Sequence, residues 1–181
     1  MPCTLPKFEY HPDPIGTGSV IPSGAVCDCC GQARGFIYDG LVHAERELEA
    51  VCPWCIASGA AHAKLGASFT DEAAIGGHGK WDKVPEAVIE AVAYRTPGYT
   101  GWQGEQWWTH CGDAGEFLGR FGTQELEALG PEAVAAIKDT AGLEGEELDL
   151  LMSTLDKDGS PTAYIFRCRH CGKLGGDWDC H

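Results

Sequence analysis

Apolar residues run along the chain in short groups that glycine and proline keep interrupting. Over residues 1–26 the interruptions are too dense for a helix: Tyr10-His11-Pro12-Asp13-Pro14, Gly16-Thr17-Gly18, then Pro22. Proline fixes its own φ and disfavours helix at the residue before it, so an extended N-terminal arm is expected over 1–26. Gly35-Phe36-Ile37-Tyr38-Asp39-Gly40 and Leu48-Glu49-Ala50-Val51 read as short strands around a polar stretch. Ile56–Leu65 is Ala-rich and reads as helix, and Gly76-Gly77-His78-Gly79 as a loop. Pro85–Tyr94 carries Val88, Ile89 and Val92 at helical spacing, and Thr96-Pro97-Gly98 ends it. Residues 99–121 are dense in aromatics: Tyr99, Trp102, Trp107, Trp108, Phe117 and Phe121. Thr123–Ala141 and Glu144–Leu155 read as amphipathic helices, with Thr123 as a candidate cap and Gly130-Pro131 as a break in the first. Asp158-Gly159 marks a turn, and Ala163-Tyr164-Ile165-Phe166 a strand entering Cys168-Arg169-His170-Cys171-Gly172. What recurs is a unit of short strand, cysteine knuckle and turn.

The expected class is therefore α+β: small zinc-ribbon-like β elements with cysteine knuckles, plus several short helices. Residues 27–70 form the ribbon-like region. Residues 71–181 form a helical and aromatic region closed by the C-terminal strand and knuckle, able to make one compact domain with the rest.

Composition narrows the partners. Thirteen basic residues stand against 27 acidic ones, for a formal net charge of -14. Binding along a phosphate backbone needs Lys and Arg to displace counterions, so nucleic acid is not an expected partner. An acidic chain attracts basic proteins instead, although solubility accounts for much of the charge. No basic start followed by an apolar run opens the sequence, and no apolar run reaches membrane-spanning length. A cytoplasmic location is expected. In such a compartment the ten cysteines point to metal rather than disulfides.

Cys27-x2-Cys30 and Cys52-x2-Cys55 stand at the spacing of paired zinc knuckles. Each CxxC turn puts two thiolates on one side of a tight loop, and two turns supply a tetrahedral shell. Gly31 suits the backbone turn after Cys30, and Cys29 competes for the same site. The rival is redox chemistry. Cys52-Pro53-Trp54-Cys55 lies between an expected strand and an expected helix, and Pro97 stands where a thioredoxin-like dithiol would want a cis-proline. That reading leaves Cys27 and Cys30 unexplained. A second zinc is expected on Cys111, Cys168 and Cys171, with His110, His170, Cys180 and His181 competing for the fourth position. The plainer alternative is a pair of buried free thiols.

An enzyme would need convergent polar groups; His110 and Asp113 could pair as base and orienter, with Glu105, His78 and His11 as further candidates. Glu105 and Asp113 otherwise read as solvated or capping. No nucleophile elbow, phosphate loop or HExxH occurs. A binding module is the favoured reading, with Trp102, Gln103, Trp107 and Asp113 as contact residues beside the acidic stretch 123–158.

Tyr10-His11-Pro12-Asp13-Pro14, Gly16-Thr17-Gly18, Cys52-Pro53-Trp54-Cys55-Ile56, Thr96-Pro97-Gly98-Tyr99, Trp102-Gln103-x-Glu105-x-Trp107 and His110-Cys111-x-Asp113 together resemble the CbrC family of bacterial proteins. The resemblance runs from about residue 8 to the C-terminus. It implies a small cytoplasmic protein with no established enzymatic activity, a link to colicin tolerance, and relatives among toxin-immunity proteins. A basic toxin is the partner class it suggests. The family pattern places a second cysteine four residues after Cys111, where this chain has Gly115. That departure puts the second metal's ligand set in question, or recruits His110 or Cys180.

Overall fold

In the computed structural model, which describes residues 4–181, the N-terminal arm is packed against the rest of the chain. Phe8, Tyr10 and His11 are buried, and the Phe117 N–H donates to the Tyr10 carbonyl at 2.8 Å. The first three residues of the expected arm, Cys3 among them, lie outside the described residues.

The arm leads into β1 (Val20–Ser23), which pairs antiparallel with β2 (Gly35–Tyr38). No strand forms over 48–51. There the Glu49 and Ala50 N–H groups donate to the Asp28 carboxylate at 2.8 and 3.0 Å, so a side chain takes what a neighbouring strand would have taken. The helix expected over 56–65 is two: α1 (Pro53–Ala57) and α2 (Ala60–Leu65), divided at Gly59, whose φ of 72° lies in the left-handed region. α3 (Glu86–Arg95) follows as its periodicity predicts.

The aromatic segment folds as β3 (Thr109–His110), β4 (Asp113–Ala114) and β5 (Glu116–Phe121). β5 leads to α4 (Thr123–Leu129) and, after the break at Gly130, α5 (Pro131–Thr140). α6 (Gly145–Thr154), β6 (Thr162–Arg167) and β7 (Leu174–Asp179) complete the chain. Thr123 does not cap α4. Its hydroxyl donates to Met152 O at 2.7 Å, and the Glu125 carboxylate takes the Gly122 N–H instead.

β6 is the central strand of the antiparallel sheet β5-β6-β7. Residues along a strand alternate between its faces. Tyr164 and Phe166 join a central aromatic core with Tyr10, Tyr99, Trp107, Trp108 and Phe117. Ala163 and Ile165 face Leu126, Ile137, Leu151 and Leu155 from the helices. A register shift between Phe117 and Gly119 sends Phe117 to the aromatic side and Phe121 to the helical side. A third core around Phe8, Val51, Ile56 and Phe69 surrounds the first cysteine group. The class is α+β, as expected from the sequence. No helix among the described residues is long and apolar enough to cross a membrane.

Candidate metal centres

The same local turn is built twice. The Cys27 N–H donates to Gln32 O (3.1 Å) and the Gly31 N–H to Cys27 O (2.8 Å). At the other end of the chain, Cys168 N–H donates to Lys173 O (2.8 Å) and Gly172 N–H to Cys168 O (3.0 Å). Gly31 and Gly172 sit at φ 68° and 76°, where a side chain would strain the turn.

In the first centre the knuckle meets α1. Cys52 stands just before that helix, Pro53 occupies its first turn without losing a bond, and Cys55 comes round on the same side. The sulfurs of Cys27, Cys30, Cys52 and Cys55 all lie within 4.8 Å of one another, with Cys30 and Cys52 at 3.9 Å. Cys29 is outside this set. Cys52 and Cys55 are buried, and β1 and β2 form only an antiparallel pair, so no βαβ unit surrounds them. The cis peptide bond among the described residues lies at Ser160–Pro161 and not at Pro97.

In the second centre the knuckle meets a hairpin. β3 and β4 are joined by Cys111-Gly112 alone, with φ of 57° and 71°. Positive φ at both central residues marks a type I′ turn, and a cysteine adopts that conformation only at some cost. The turn carries Cys111 Sγ to 3.9 Å from Cys171 Sγ, while His110 Nδ1 stands 3.2 and 3.6 Å from the two sulfurs. With Cys168, these four donors also lie within 4.8 Å of one another.

Both sets fit zinc. Zinc bonds of about 2.3 Å to sulfur and about 2.0 Å to nitrogen, at tetrahedral angles, put sulfurs about 3.8 Å apart and nitrogen about 3.5 Å from sulfur. The first cysteine of each knuckle is made more acidic than an ordinary thiol. Burial opposes ionisation of Cys27, but the N–H groups of Cys52, Cys30 and Cys29 prevail and bring its thiol down to about 7. Cys168 is likewise opposed by burial, and the Cys171 N–H with His110 brings it down to about 6. Desolvation and neighbouring sulfurs raise Cys52 and Cys111 to about 11 and push Cys55 up further. A cation would bind by displacing those protons.

Of the competing fourth ligands, the structure brings in His110. Gly115 could not carry the cysteine of the resembled family without rearrangement. A Cβ there would meet the Trp108 ring at 2.8 Å and Phe166 Cβ at 3.0 Å. Cys180 accepts a contact from Gln103 instead. His170 turns to Asp113, its Nε2 3.0 Å from Oδ2.

Asp113 is a buried knot rather than a solvated or surface group. Its carboxylate accepts from Tyr10 Oη (3.0 Å), the Ala114 N–H (2.9 Å) and Arg169 Nη1 (2.7 Å). Arg169 also pairs with Glu9 and lies over the Tyr10 ring. Asp113 thus orients Arg169 and His170, not His110, and the expected base-and-orienter pair does not form. Glu105 is also mostly buried, and desolvation raises its pKa. Trp107 is fully buried and donates from Nε1 to Gly115 O, so it offers no contact surface. Trp102 is 43% exposed, but its Nε1 donates to Gly159 O and Thr162 Oγ1. Gln103 bonds Asp179 and Cys180, so Trp102 ties the turn before β6 and Gln103 the end of β7. Sequence reasoning did not find Arg169, Tyr10 or Asp28. The one available signal was the position of Arg169 and Asp28 inside CxxC turns.

Residues 5–180 match a family described as an uncharacterised protein family, UPF0167. UPF0167 protein Mb2317 of Mycobacterium bovis is 46% identical over 178 residues, covering 94% of this chain and 91% of that one. UPF0167 protein PA1536 of Pseudomonas aeruginosa is 39% identical over 177 residues, covering 97% of each. No solved structure matches the chain.

Proposed function

This chain belongs to the uncharacterised protein family UPF0167, and from that premise we propose that it is a binding protein held in shape by two structural zinc ions. The carrying observation is the repeated knuckle, closed in one case by α1 and in the other by a hairpin, each time with four soft or imidazole donors. Four protein ligands leave no position for substrate, which is the mark of a structural rather than a catalytic metal. Cys27, Cys30, Cys52 and Cys55 would hold one ion; His110, Cys111, Cys168 and Cys171 the other. Such thiolates suit a reducing, cytoplasmic setting.

The resemblance to the CbrC family, taken with the net charge of -14, makes a basic toxin the partner class to test first. Neutralising Glu144, Glu146, Glu147 and Asp149 together should then slow association with that partner and flatten its salt dependence.

Elemental analysis of protein purified without added zinc should find about two equivalents per chain, and the seven cysteine ligands should be alkylated more slowly than after chelator is added. Metal-free protein that melts cooperatively at an unchanged temperature would overturn the reading.

A further inference from the structure

The two centres differ in what meets solvent. In the first, Cys27, Cys52 and Cys55 are buried and only Cys30 is partly open. In the second, Cys111 and Cys171 are both exposed, and Cys168 alone among the sulfurs is buried. The exposed pair stand 3.9 Å apart, one on the hairpin turn and one on the knuckle. Thiols oxidise in proportion to their thiolate character and their access to solvent. Metal ligation supplies the first to all seven cysteine ligands. Access is therefore what separates them.

From this contrast we infer that Cys111 and Cys171 are a reversible target of two-electron oxidants of the hydroperoxide class, whose oxidation empties the second centre while the first stays loaded. The inference rests on the zinc reading above. The Cys111 sulfur attacks a peroxide oxygen, the O–O bond breaks, and Cys111 becomes a sulfenic acid as the other oxygen leaves and takes a proton. The Cys171 sulfur then attacks the Cys111 sulfur; the S–S bond forms, the S–O bond breaks, and hydroxide leaves to become water. In sum, two thiolates, one hydrogen peroxide and two solvent protons give one disulfide and two waters. His110 and Cys168 alone no longer close a tetrahedral shell. The new bond joins the same hairpin and knuckle that the donors joined, and Asp113 still clamps Arg169 and His170. The fold therefore survives, and a thiol reductant restores both donors.

The test uses the zinc-loaded full chain, hydrogen peroxide, a zinc-sensing dye and peptide mapping. One of two equivalents should leave at least about tenfold faster than the other, in step with a disulfide linking the Cys111 and Cys171 peptides. Reductant with added zinc should reverse both changes. Cys111→Ser should abolish the mapped disulfide. Release of both ions at one rate overturns the inference. So does a disulfide among Cys27, Cys30, Cys52 and Cys55, or irreversible oxidation of Cys111 with no disulfide. Fewer than two equivalents before peroxide is added would instead overturn the zinc reading itself.

Discussion

Cys27 and Cys168 open two knuckles that differ in sequence but share a hydrogen-bond pattern, and in each the backbone N–H groups drive the first thiol toward ionisation. What differs is the residue that docks each knuckle to its partner. Asp28 does so at the first centre through the N–H groups of Glu49 and Ala50. Asp113 does so at the second through Arg169 and His170. Without Asp113, Arg169 keeps Glu9 as a partner, but the Tyr10 hydroxyl and the Ala114 N–H lose their acceptor in a buried place, at a cost of about 1–3 kcal/mol. Asp113→Ala should therefore lower the urea midpoint by the equivalent of about 2 kcal/mol, with the first cysteine group keeping its metal. Cys52→Ser should remove one zinc outright and unfold the residues around Phe8, Ile56 and Phe69, read by elemental analysis and far-UV circular dichroism. A variant that keeps two equivalents would separate Cys52 from the metal. The first centre was legible in the sequence because two CxxC pairs announce themselves by spacing. Asp113 was not, because its partners Arg169 and His170 lie 56 and 57 residues away. Of the two tryptophans proposed as contacts, Trp102 is exposed and Trp107 is not. An exposed Trp and a core Trp look alike in a one-dimensional string, and Trp107 is core.

At the scale of elements, the sequence patterns that carried a period survived and those that did not were lost. α3, α5, α6 and β6 stand close to where periodicity or β-branched and aromatic content placed them. β7 has no such pattern: Leu174-Gly175-Gly176-Asp177-Trp178-Asp179 carries two adjacent glycines and two acids. Its glycines are there for proximity. A Cβ on Gly175 would lie 2.0 Å from the Trp108 ring, and β7 pairs Gly175 with Phe166 across the ladder. Trp108 in turn stacks on His110 with the rings 7° apart, so the strand seats the ring that backs the histidine of the second donor cluster. Gly175→Ala should displace Trp108 and cost about 1–3 kcal/mol by overpacking. Tryptophan fluorescence should shift to the red, and zinc should leave the second centre at a lower chelator concentration than in the unaltered chain. An unchanged emission spectrum with unchanged chelator sensitivity would show that the strand does not support that centre.

For the molecule as a whole, acid is the condition that draws its separate parts into one response. His11 is buried, with Nδ1 2.8 Å from Pro97 O and Nε2 2.6 Å from Thr17 Oγ1. A carbonyl only accepts, so Nδ1 carries the proton and Nε2 takes the Thr17 hydroxyl. Desolvation holds the pKa near 4 against an ordinary value of 6.5, despite raising contributions from the Pro97 carbonyl and Asp13. Between those values the unfolded chain binds a proton that the folded chain refuses, so stability falls as pH drops from about 6.5 toward 4. If the cysteine groups hold zinc as proposed, acid also returns protons to their thiolates, which acts in the same direction. Glu105 and Asp179 oppose both: burial raises their folded pKa, so acid relieves a cost they impose near neutrality. A raw pH profile mixes all four, and a difference profile does not. His11→Asn should be less stable than the parent at pH 7.5. With zinc in excess, urea denaturation should show that gap shrinking by about 1 kcal/mol at pH 5.5, the share of the linkage already spent there. A gap of constant size would mean that His11 carries no proton linkage and that the acid response belongs to the metal centres and carboxylates alone. A gap that widened would mean that the buried imidazole accepts its proton in the folded state, with Thr17 turning to receive it.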